Sequence, residues 1–133
     1  VFKDIAVKVW DTVQASRGVE APIVKLSHER DSLKVTFKDG YSYDLPAEML
    51  RVMSPSAEVQ GHSAEQRVTV PGKRNVKIQT MQPVGKYATK ISFDDGHNTG
   101  LYSWSYLLEL GQNKDAKWKT YLEELAAKGL SRS

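Results

Sequence analysis

Apolar and polar residues alternate strictly at two places in the chain. Leu33, Val35 and Phe37 are interleaved with Lys34, Thr36 and Lys38, and Tyr87, Thr89, Ile91 and Phe93 with Ala88, Lys90 and Ser92. A period of two predicts strands with one buried and one wet face. Both runs enter an Asp-Gly pair, Asp39-Gly40 and Asp95-Gly96. Such a pair supplies the positive φ of a tight hairpin turn. A leucine follows each turn (Leu45, Leu101), then a short helical stretch ending in Leu50 or Leu107. From Val35 to Ile91, Phe37 to Phe93 and Asp39 to Asp95 the offset is always 56. Two copies of a strand–turn–strand–helix unit predict one domain around a shared core.

Other stretches carry helical spacing. Phe2, Ala6, Val9, Trp10 and Val13 make a stripe over residues 3–16, with Gly18 as a stop and Ala21-Pro22 as a joint. Pro46 suits the first turn of a short helix, and Ser54 or Ser56 suits the cap of another that ends at Gly61. Ser103 caps a helix over Trp104–Leu110 that Gly111 closes. A last helix, from about Asp115 to Lys128, buries Trp118, Tyr121, Leu122 and Leu125 and stops at Gly129. Short strands are expected at Ile23–Leu26, at Arg67–Val70 and at Val76 and Ile78, with Met81–Gly85 as a connector. The predicted fold class is α+β: a two-layer sandwich of antiparallel hairpins with short helices, built from two repeats, plus an N-terminal helix. Residues 1–20 form the helix and joint, and residues 21–133 the repeat body.

Composition narrows the chemistry. At 133 residues, 40% hydrophobic and 26% charged, the chain has the size and balance of one globular domain. No apolar run approaches the roughly 18 residues of a membrane span. The absence of cysteine removes disulfides, thiolate catalysis and cysteine-held metals or clusters. It fits a reducing compartment, so an intracellular location is expected, with an organelle matrix (mitochondrion or chloroplast) after N-terminal processing as one option within it. A chain starting at Val1 is expected to be a processed protein or part of a longer one with an upstream domain. The net charge of +3 is dispersed. Its densest stretch, Lys73-Arg74 with Lys77, has no interleaved aromatics and reads as a solvated loop, so no nucleic-acid partner is expected.

Candidate chemistry is sparse. His28 lies in a polar turn. His62 follows Gly61, and His97 follows Asp94-Asp95-Gly96, where carboxylates and an imidazole come together within four residues. That grouping suits a divalent metal or polar ligand. An ordinary solvated turn is the favoured reading, because Tyr41 stands at the matching position of the first copy and the turn works there without a histidine. No serine sits in a Gly-x-Ser-x-Gly elbow, and no phosphate loop is present. The adjacent acids of Asp94-Asp95 and Glu123-Glu124 diverge on a strand or a helix. The Trp10 face is a candidate docking stripe for a partner.

Several motifs then resemble a known family. Leu50-Arg51, the run Ser54 to His62, Gln82-Pro83-Val84-Gly85-Lys86-Tyr87-Ala88, and Phe93 through Trp104 stand in the order found in the gamma-butyrobetaine hydroxylase N-terminal-like family, over about residues 21–132. The resemblance implies an α+β domain that stands alone or is fused to 2-oxoglutarate oxygenases or Mrp/ApbC-type iron–sulfur carriers. In the oxygenases it implies a zinc held by three cysteines and a hairpin histidine. The cysteine positions fall at Ser54, Ser56 and Val59 here, and the histidine position falls on either the first hairpin or His97. Serine hydroxyls are poor zinc ligands, so no metal and no cofactor are expected. Phe2 to Val9 also resembles the closing helix of Mrp-type carriers. The leading expectation is a non-enzymatic accessory domain with a protein partner, using His62, Asp94, Asp95 and His97, and secondarily Trp10. The alternatives are a metal-binding or enzymatic domain built on those four polar residues, and a structural subunit anchored by the first helix.

Overall fold

The computed structural model describes residues 21–61 and 68–133. The expected N-terminal helix with Trp10, and His62, lie outside the described residues. Elsewhere the α+β reading holds. Two three-stranded antiparallel sheets are formed, β1 (Ile23–Leu26), β2 (Ser32–Thr36) and β3 (Ser42–Pro46) in one, β4 (Ile78–Val84), β5 (Ala88–Phe93) and β6 (Gly100–Ser103) in the other. In both, the strands pair in chain order. Helices α1 (Ala47–Val52) and α2 (Ala57–Gln60) follow the first sheet, and α3 (Trp104–Gln112) and α4 (Lys114–Ala127) follow the second.

The repeat is visible at atomic detail in the turns. Phe37 N–H donates to Tyr41 O at 2.9 Å and Gly40 N–H to Phe37 O at 2.9 Å; Phe93 donates to His97 at 2.9 Å and Gly96 to Phe93 at 3.1 Å. Asp39 Oδ1 accepts from Tyr41 N–H, and Asp95 Oδ1 from His97 N–H. Gly40 and Gly96 share φ = +94°, a conformation that side chains with a Cβ resist. The inward residues Leu33, Val35, Phe37, Leu45, Ile78, Ile91, Phe93 and Tyr102 join Leu50 of α1, Leu107 and Leu110 of α3, and Tyr121 and Leu125 of α4 in one core. The sheets are also tied through the β1–β2 loop. Arg30, at φ = +64°, accepts Ile78 N–H on its carbonyl and donates from Nη1 to Gln79 O at 2.6 Å.

The two copies part company just after the second turn. In the first hairpin Val35 pairs with Tyr43; in the second Ile91 pairs with Gly100, one residue beyond the position the repeat predicts. The extra residue lies between His97 and Gly100. A one-residue slip inverts the facing of every later side chain. Leu101 is therefore 51% exposed, and Tyr102, not Leu101, takes the buried place of Leu45.

Other expectations are corrected. Met81–Gly85 is not a connector: its first four residues complete β4, and Gly85, at φ = +61°, makes the turn. Val76 lies outside the strand, and residues 68–70 have no regular structure. Gly111 does not close α3 but lies inside it. A Cβ there would come within 2.4 Å of the Tyr43 ring, so this glycine serves close packing of helix on sheet. Leu122 is exposed on α4. Ser103 does cap α3, accepting Tyr106 N–H at 3.1 Å. Gly129 ends α4 at φ = +67°, with Leu130 N–H bonded to Leu125 O and Gly129 N–H to Ala126 O, the paired bonds of a Schellman stop. No helix among the described residues is long and apolar enough to cross a membrane.

Candidate functional site

At the tip of the second hairpin His97 packs inward. Its residue is 8% exposed, whereas Tyr41 at the matching position is 64% exposed. The ring meets the segment that joins α1 to α2. His97 Nε2 lies 2.9 Å from Ser54 Oγ and 3.4 Å from Ser56 Oγ. Ser54 Oγ also accepts Ser56 N–H at 3.2 Å, and Ser54 O accepts from the Gln60 amide at 2.8 Å. Ser54 is wholly buried. Gly100 makes the approach possible, since a Cβ there would stand 2.5 Å from Ser54 Oγ and 3.0 Å from the Tyr102 ring. Tyr102 closes the far side and donates its hydroxyl to Leu50 O at 2.5 Å. Burial drives that phenol well above its ordinary range, although a hydrogen bond with Ser54 pulls the other way.

The acids of the same turn face elsewhere. Asp95 Oδ2 takes Arg51 Nε at 2.8 Å and Lys73 Nζ at 2.6 Å. Burial pushes the Asp95 carboxyl up, but the bonds from Lys73, from His97 N–H and from Arg51 outweigh it and hold the group at about 2. Arg51 Nη1 is buried without a hydrogen-bond partner among the described residues. Asp94 Oδ1 accepts Lys77 N–H at 3.1 Å. The four residues singled out in the sequence thus do not converge within the described part: His97 faces Ser54, Asp94 and Asp95 face residues 73–77, and His62 is outside it. No group of three or more His, Cys, Asp or Glu positioned to hold a metal occurs among the described residues. Of the two hairpins, the second brings its histidine to residues 54 and 56. Two hydroxyls already bonded to the imidazole, with the apolar Val59 at the third position, do not make a zinc donor set.

Sequence patterning missed the Ser54–His97 contact because 43 residues separate the partners. The signal that pointed to it was the motif spacing of the resemblance. It also missed an ion pair at the chain's end. Arg132 Nε and Nη2 donate to Glu48 Oε2 and Oε1 at 2.8 and 2.6 Å. Helix α1 supplies the carboxylate, from between Ala47 and Met49 that face the core.

Two antiparallel hairpin units around one core, each carrying short helices, define an α+β domain. The chain belongs to the gamma-butyrobetaine hydroxylase-like, N-terminal family, whose model matches residues 24–108. It is similar to two proteins of known solution structure. One is 49% identical with a TM-score of 0.75, covering 87% of this chain and 92% of that one. The other is 45% identical with a TM-score of 0.74, covering 86% and 85%. A crystal structure from Acidithiobacillus ferrooxidans, described as a protein of unknown function in the DUF971 family, is 34% identical with a TM-score of 0.56 over 68% of this chain and 92% of that one. A search of curated proteins found no match.

Proposed function

We propose that this chain is a non-enzymatic interaction domain that acts inside the cell, docked on or fused to an iron–sulfur-assembly or 2-oxoglutarate-oxygenase partner. The observation that carries the reading is the sealed state of its best chemical constellation. Ser54, Ser56 and His97 are all buried, and Ser54 Oγ is closed over by Gly100 and Tyr102. A nucleophile and base need a reacting atom within reach of both, and no room is left for one here. The carboxylates beside them are occupied by Arg51, Lys73 and main-chain N–H groups. What a partner meets is the surface, where Ile23, Tyr41, Tyr87 and Leu101 stand exposed. The family name links the domain to a hydroxylase, which supports the oxygenase side of the pairing.

The test is recovery of the tagged chain from its own cells at native abundance. Co-purification with a stoichiometric iron–sulfur-assembly protein or oxygenase is the expected result. Recovery as a lone monomer, with no partner retained after mild crosslinking, overturns the reading.

A further inference from the structure

We propose that Glu48, Trp118 and the main-chain N–H groups of Gly72 and Arg74 form an arginine-reading peptide groove, which the chain's own Ser131 and Arg132 fill in competition with a partner's arginine-bearing extended segment. The inference deepens the interaction reading by naming the chemistry that this surface recognises.

The floor of the groove is preformed. The Glu48 side chain is 6% exposed and projects from a helix locked into the core. Two bonds to the Arg132 guanidinium satisfy both of its oxygens, the fork-to-fork arrangement that selects arginine over lysine. Trp118 lies 5.3 Å from the guanidinium carbon, within cation–π range. The wall is main chain: Gly72 N–H donates to Ser131 O at 3.0 Å and Arg74 N–H to Arg132 O at 2.9 Å. Main-chain bonds for affinity plus one side-chain pocket for choice is the logic of extended-peptide recognition.

The occupant is held lightly by comparison. Leu130, Ser131 and Ser133 are exposed, so the segment brings no buried apolar anchor. The Schellman bonds that finish helix α4 end at Leu130, so the helix does not need Ser131 or Arg132 to terminate. An open cavity of about 360 Å³ continues past Arg132 along Lys73, Arg74, Asn75, Asp94 and Asp95, leaving space for residues that flank an incoming arginine. An intramolecular occupant has an effective concentration in the millimolar range, so it screens out weak ligands and yields to a partner that adds contacts elsewhere.

The test uses the full chain as Arg132→Ala, with the peptide Leu-Ser-Arg-Ser as probe in calorimetry and in amide NMR. Saturable 1:1 binding is expected, at least ten-fold tighter than for Leu-Ser-Lys-Ser and lost in Arg132→Ala/Glu48→Gln. Equal binding to both proteins, or none to folded Arg132→Ala, overturns the groove. If Arg132→Ala does not fold, wild type decides. Millimolar Leu-Ser-Arg-Ser should shift the Gly72 and Arg74 amides and the Trp118 indole; resonances that stay fixed overturn the proposal. Either failure leaves partner recovery from cells as a separate question.

Discussion

His97 is the residue on which the second half of the chain turns. Its imidazole is buried and bonded to Ser54 and Ser56, so removing the ring leaves two interior hydroxyls short of a partner. Unmade bonds of that kind cost about 1–3 kcal/mol each, so His97→Ala should lower the urea-derived stability by roughly that much. Tyr41→Ala, at the equivalent exposed position, should stay within about 0.5 kcal/mol. Similar losses at both sites would show that burial does not distinguish the copies. Two residues away, the bonds from Lys73, His97 N–H and Arg51 outweigh burial and hold the Asp95 carboxyl at about 2, against an ordinary value of 3.8. A depressed carboxylate stabilises the fold above its unfolded value and ceases to do so as pH falls through its folded value. The stability gap between wild type and Asp95→Asn should therefore be full above about pH 5 and close between about pH 4 and 2, as read from urea midpoints across that range.

At the scale of elements, strands, turns and caps were legible because their signals are local. Alternation in residues 33–37 and 87–93, the Asp-Gly turns, Ser103 and Gly129 each act within a few residues. What stayed hidden depends on contacts made across the chain. Gly111 has the look of a helix stop, yet its role is set by Tyr43, which comes from another hairpin. The slip after His97 involves no unusual residue type; only pairing registers reveal it. Met81 to Val84 reads as a linker because nearly every side chain of that edge strand is exposed. For the same reason the Ser54–His97 contact was reachable only through motif resemblance. Gly100 tests whether that contact governs the junction. Gly100→Ala must push Ser54 or Tyr102 aside and should cost about 1–3 kcal/mol by overpacking, with the His97 ring protons shifting in NMR spectra. An unperturbed His97 signal would show that the junction relaxes freely.

Across the whole molecule, the two repeats share one interior. Phe37, just past β2, and Phe93, the last residue of β5, occupy matching places in the repeat and belong to the same core. Truncating either to alanine should cost about 3–5 kcal/mol, and both variants should lose the two sheets in a single denaturation transition. Separate transitions for the halves would break the shared-core account. The imidazole–hydroxyl cluster is buried beside this shared interior, while Ile23, Tyr41, Tyr87 and Leu101 stand exposed outside it.

The added residue between His97 and Gly100 carries a wider consequence. The two loop tips match in their turn bonds, yet one presents its residue to solvent and the other braces another part of the backbone. Loop length at this tip therefore sets what lies over Ser54: a tip one residue shorter would turn Leu101 inward and Tyr102 outward, and take the small residue away from that hydroxyl.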